Sequence, residues 1–165
     1  MTAKHERIEV DREDLLGEAT ALVDRVELLV DGFADPVVVG FRQQGAASFY
    51  FGADPVYQFN ARGELRRAYC DGLLYKADGG RLAAMNRRRT GEAVELVRRD
   101  LSEDEQAAFG KRMAARLCQL RDALAEDRYE VRGEVSTTGD AVADVRRWLA
   151  KTPLPPPIAH RPNVA

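Results

Sequence analysis

From Pro36 to Leu101 turn residues recur every few positions, and no interval between them can hold a crossover helix. Parallel strands need connections of a dozen or more residues, so strands in this stretch must pair antiparallel with their neighbours. The intervening runs suit strands. Val37 to Arg42 is rich in β-branched residues, Ser48 to Gly52 is aromatic, and Val56 to Asn60 follows the Asp54-Pro55 break. Leu65 to Cys70, Leu73 to Ala77, Leu82 to Arg87 and Ala93 to Arg99 continue the series. The expected fold is α+β, built on an antiparallel β-meander of about six or seven strands.

Asp71-Gly72 lies between two of these runs and favours a two-residue hairpin turn. Such a turn sets the register. Cys70 then faces Leu73 and Ala68 faces Tyr75 on one side of the ribbon, while Tyr69 faces Leu74 and Arg67 faces Lys76 on the other. The first side is mostly apolar and suits the core. The second opposes two cations, which costs stability unless an anion or carboxylate sits between them.

Outside the meander the period changes to that of a helix. Asp11 and Asp14 precede Leu15, Ala19, Leu22, Val23 and Val26, a spacing that predicts an N-terminal helix, and Val26 to Val30 reads equally as its last turn or as a first strand. Ser102 and Glu105 form a capping box ahead of an apolar stripe of Phe109, Met113, Leu117, Leu120 and Leu124, which predicts a long C-terminal amphipathic helix packed on the sheet. Tyr129 to Ser136 offers another short strand. Asp140 to Lys151 offers a second helix with Val142, Val145, Trp148 and Leu149 on one side, stopped by Pro153. The organisation expected is a flexible tail over 1–10, a single α+β domain over 11–151 and a Pro-rich disordered tail over 152–165. Sheet and helices together have the outline of a small half-open barrel.

Composition narrows the chemistry. Of the 25 cationic side chains 21 are Arg, a bias that a GC-rich genome also produces, and the two histidines, His5 and His160, fall outside the periodic core. His-dependent acid–base catalysis or a His-ligated metal would have to recruit the chain ends. HExxH, GxSxG, P-loop and GxGxxG patterns do not occur, so no catalytic residue, metal or cofactor is assigned. Apolar runs fall short of the roughly 20 residues of a membrane-spanning helix, and Met1 to Arg12 lacks the apolar centre of a secretory signal. Cys70 and Cys118 form no disulfide framework, so the expected location is cytoplasmic, with no membrane partner.

Charge is unevenly spread. Residues 1–35 carry 4 basic and 10 acidic side chains, whereas residues 60–99 carry 10 basic and 5 acidic ones. The acidic N-terminal segment could be the internal counter-charge of the basic sheet. The other reading is an anionic ligand or a partner protein on an Arg/Tyr sheet face, with charge from Arg66, Arg67, Lys76, Arg87, Arg88 and Arg89 and stacking area from Tyr50 and Tyr69. Nucleic acid is disfavoured by the overall acidity, pI about 5.8. Around Phe49 to Asn60 alternation sends Phe49 and Phe51 to the core and Tyr50 to the other side, and Tyr50, Tyr57 and Gln58 are the side chains a pocket there would use.

The leading function read from sequence is therefore a small cytoplasmic binding or interaction module. One rival is a structural subunit that forms a homodimer or docks through a sheet edge or the C-terminal helix, with Trp148 as its anchor. The other is a His-independent enzyme that relies on Cys70, close in sequence to Arg66 and Arg67, or on Asp54.

Overall fold

The computed structural model describes residues 22–42 and 44–160, with Arg87 described in its backbone only. Eight strands follow one another: β1 (Asp24–Val30), β2 (Val37–Phe41), β3 (Ala47–Phe51), β4 (Val56–Phe59), β5 (Leu65–Cys70), β6 (Leu73–Asp78), β7 (Arg81–Thr90) and β8 (Ala93–Asp100). Helix α1 (Glu103–Ala125), strand β9 (Tyr129–Val135) and helix α2 (Ala141–Lys151) complete the chain order. The strands make one sheet in the order β8-β7-β6-β5-β4-β3-β2-β1-β9, antiparallel throughout.

The α+β class and the meander hold, but the sheet is larger than six or seven strands and its outline is not a half-open barrel. Val26 to Val30 belongs to strand β1, and Tyr129 to Val135 adds a ninth strand beside it, leaving β8 and β9 at opposite edges. The length of α1 explains the open form. Its 23 residues span about 34 Å, and the seven strand spacings from β8 back to β1 also come to about 34 Å. The helix thus carries the chain across the whole sheet instead of plugging a closed end. The tail expected over 1–10 and the start of the helix expected from Asp11 lie outside the described residues, as does most of the acidic segment expected as counter-charge; the described end of that helix differs, since Leu22 and Val23 precede β1 outside any helix and Val26 lies within the strand.

α1 forms where its sequence signals it. Ser102 Oγ accepts from the Glu105 N–H at 3.2 Å and Glu105 Oε1 accepts from the Ser102 N–H at 3.0 Å, so two of the unpaired donors of the first turn are satisfied. Phe109, Met113, Leu117, Leu120, Ala123 and Leu124 are buried in one cluster with Val39, Phe49, Tyr57, Ala68, Tyr75 and Ala84 of the sheet. Glu105 also meets Arg99 at 2.9 Å. The Arg99 guanidinium and the Ser102 amide hold its carboxyl at about 2, below an ordinary value of 4.5. A carboxyl depressed in the folded state contributes stability that is full above its unfolded value and lost as pH falls through its folded one. Glu105→Gln should therefore flatten the loss of stability between about pH 4.5 and pH 2 in acid unfolding followed by circular dichroism.

α2 is capped twice, by Asp140 accepting from the Ala143 N–H at 3.0 Å and by Glu134 of β9 accepting from the Ala141 N–H at 2.8 Å. Its Trp148 ring stands 4.9 Å from that of Phe49 and 4.8 Å from that of Phe59. The indole expected as a docking anchor is half-buried and joins α2 to the middle of the sheet.

Over 152–160 the expected disordered tail is instead a strap. Leu65 donates to Pro157 O at 2.7 Å and accepts from the Ala159 N–H at 2.8 Å, and the Gly80 N–H reaches Ala159 O at 3.3 Å. The physical reason lies in β5, which pairs with β6 only from Arg67 onward, leaving Leu65 to bond with the strap. Pro residues suit such a strap, since an extended chain that pairs on one side does not need every N–H.

Candidate functional site

The hairpin register agrees with the turn chemistry: Arg67 opposes Lys76, Ala68 opposes Tyr75, Tyr69 opposes Leu74 and Cys70 opposes Leu73. On the side of the sheet away from α1, two rows run across the strands. One contains Gly40, Ser48, Gln58, Arg67, Lys76, Ala83 and Asp100; the next contains Val38, Tyr50, Val56, Tyr69, Leu74, Met85 and Arg98. Four of the eight expected site residues, Tyr50, Tyr69, Arg67 and Lys76, therefore share one face.

That face is less open than a ligand surface would be. Tyr50 is only 4% exposed and packs with Leu22 and Val56, and Gln58 is 1% exposed and accepts from Arg67 Nε at 2.9 Å. Leu22 lies over Gly40, where a Cβ would collide with its side chain. Tyr57 points to the other side of the sheet, towards Phe109, so Tyr50, Tyr57 and Gln58 do not share a pocket. Arg66 is the extra residue at the irregularity between the Phe59–Leu65 and Gln58–Arg67 pairs, and it is exposed. Arg87, Arg88 and Arg89 pair with Leu96, Glu95 and Val94 of β8, beyond the last residue that β6 reaches on β7. They occupy a two-stranded extension apart from Arg67 and Lys76, and Arg88 meets Glu95 at 3.4 Å.

A better-formed concavity lies on the α1 side. The β3–β4 turn, the β5–β6 hairpin and the middle of α1 enclose a cleft of about 160 Å³ lined by Asp54, Pro55, Tyr57, Cys70, Asp71, Phe109, Arg112 and Arg116. Local sequence explains each wall. Asp71 and Gly72 take positive φ values of 52° and 77°, as a two-residue turn requires, and their N–H groups are received by Asp54 Oδ1 at 3.0 Å and Oδ2 at 3.1 Å. Asp54 thereby ties the neighbouring turn to the hairpin. Arg112 and Arg116 are four residues apart, hence on one side of the helix. Arg112 Nη1 lies 3.4 Å from Asp71 Oδ2, whereas the half-buried Arg116 makes no hydrogen bond or ion pair among the described residues.

The two groups at the floor are uncharged near neutral pH. Burial raises the Tyr57 phenol well above its ordinary range. Burial also pushes the Cys70 thiol up to about 12, with Asp54 and Asp71 adding to the rise and the hydrogen bond to Tyr57 opposing it. A nucleophilic cysteine needs its thiolate stabilised, so this environment runs against the Cys70 version of an enzyme. Asp54 uses both carboxylate oxygens on the hairpin turn, a structural task. The cleft is suited to receiving a small ligand: two guanidinium groups offer charge-assisted donors and Tyr57 a neutral hydroxyl.

Arg112 and Arg116 were not singled out by the sequence because they lie off the apolar stripe of α1, where charged side chains normally meet solvent. The available signal was their four-residue spacing. No protein-family model matches the chain, and comparison with curated proteins and with solved structures finds no match.

Proposed function

We propose that the protein is a binding module for a small ligand bearing an anionic group, which it holds between Arg112, Arg116 and Tyr57. The observation that carries this reading is Arg116, a half-buried cation lining the cleft without a carboxylate partner among the described residues. A charge-assisted hydrogen bond is worth about 1.5–3 kcal/mol, which corresponds to roughly ten- to hundredfold in affinity. Arg67 and Lys76 form a second cationic pair on the opposite face, but Arg67 is already held by Gln58, and Tyr50, two strands away on that face, is buried. Titration with propionate and with inorganic phosphate, followed by amide chemical shifts, tests the reading. Arg116→Met should weaken binding at least tenfold with an unchanged melting temperature, and added salt should weaken it further. Absence of shifts with both anions and with a small amino acid would refute it.

A second reading, a subunit that docks through a sheet edge, draws on the exposed large hydrophobic residues Leu29 (38%), Val131 (42%) and Val135 (51%), all on β1 or β9. β9 stands at the edge of the sheet, with one side of its backbone unpaired by any described strand. If this edge joins two copies, sedimentation should give twice the monomer mass, and Val131→Lys should restore the monomer. A monomer at every concentration for the unaltered chain would remove this reading.

A further inference from the structure

The cleft is not uniformly basic. Its lining holds two carboxylates, Asp54 and Asp71, and two guanidinium groups, Arg112 and Arg116. The acids come from the two turns, and the bases come from the helix. We infer that the ligand is a small zwitterion, an α-amino acid with a short side chain, whose carboxylate meets Arg112 and Arg116 and whose ammonium group meets Asp71 and Asp54. This deepens the proposed function and rests on it.

Three features argue for a ligand with both charges. A lone anion entering the cleft would be attracted by the arginines and repelled by two carboxylates on the opposite wall, so much of the attraction would cancel. Asp54 is fixed by two turn amides, which take one lone-pair direction on each oxygen and leave the other open to a donor at that wall. Asp71 is 79% exposed at its side chain and its contact with Arg112 is long, 3.4 Å, so an ammonium group can take its place beside Asp71 while a ligand carboxylate takes up Arg112. A volume of about 160 Å³ accommodates a molecule of alanine's size, and Pro55 and Phe109 supply apolar wall for its carbon atoms. Specificity in such a site comes from pairing both charges, since a ligand lacking one leaves a protein charge facing it unpaired.

The test is a parallel titration of the full chain with L-alanine, propionate and ethylammonium, read from the amide shifts of Asp71, Gly72, Arg112 and Arg116. L-alanine should bind at least tenfold more tightly than propionate, and ethylammonium more weakly than either. Asp71→Asn is the informative variant, because asparagine accepts the positive φ of this turn position. It should bring the affinity for L-alanine down towards that for propionate without weakening propionate, at an unchanged melting temperature. Equal binding of L-alanine and propionate by the unaltered protein, or no effect of Asp71→Asn on their ratio, would overturn the zwitterion and leave the anion reading standing. Absence of shifts with L-alanine, propionate and phosphate alike would overturn both.

Discussion

Phe49→Ala should lower the free energy of unfolding by about 3–5 kcal/mol, a large part of the 5–15 kcal/mol typical of a domain. Phe49 is fully buried in β3 and stands edge-on to Phe59 at 5.7 Å and beside Trp148 at 4.9 Å. It belongs both to the sheet and to the joint with α2. Removing its ring leaves a cavity that Phe59 and Trp148 cannot fill, because both are themselves held by the strand ladder and the helix. At about 2–4 °C per kcal/mol for a chain of this size, melting should fall by roughly 6–20 °C. Denaturant unfolding measures the loss directly. A loss below about 1 kcal/mol would mean that α2 is anchored by other contacts, such as Val142, Val145 and Leu149.

The second large effect concerns Cys70. Its thiol is raised from an ordinary 9.0 to about 12, so the thiolate fraction near neutral pH drops by about a thousandfold. Cys70 is buried and Cys118 is half-buried. In the native protein a thiol reagent should label Cys118 and leave Cys70 almost untouched, whereas in denaturant both should react at similar rates. Native labelling of Cys70 as fast as Cys118 would revive the cysteine-based enzyme. The same shift predicts an alkaline limit to stability. A group whose folded value is raised contributes stability that is full below its unfolded value and is lost as pH rises through the folded one. Stability should therefore fall between about pH 9 and pH 12, and Cys70→Ala should flatten part of that fall.

Local chemistry made the hairpin and the long helix readable. Asp71-Gly72 permits one turn geometry, and the alternation of Ala68, Cys70 and Tyr75 then leaves one register that buries apolar side chains. Ser102 and Glu105 start α1 where the stripe of Phe109, Met113 and Leu117 begins, and all three are buried. The features that escaped depend on distant partners. Val26 to Val30 becomes a strand because β2 and β9 flank it, and β9 lies almost a hundred residues further along the chain. Pro155 to Pro157 reads as a tail because composition does not reveal that Leu65 offers it a free N–H and carbonyl. The cleft was hidden for a similar reason. Which loops Arg112 and Arg116 face depends on the line α1 takes across the sheet, and that line is set by where β9 must begin.

The charge asymmetry also looks different against the fold. The basic residues of 60–99 expected to form one site are divided among three places: the Arg67–Lys76 pair on one face, Arg66 at an irregularity of β5, and Arg87 to Arg89 on the extension of β7 and β8. Other members of the basic block have local partners, as Arg98 has in Asp78 and Asp100 and Arg99 has in Glu105. The proposed ligand cations, Arg112 and Arg116, come from outside that block.

The position of the binding site is tested most directly by the arginine side chains themselves. In a titration of the full chain with propionate, followed through the arginine Nε–H signals, the signals of Arg112 and Arg116 should shift while that of Arg67 stays in place. A shift at Arg67 with Arg112 and Arg116 unmoved would contradict the account and place the ligand on the opposite face of the sheet.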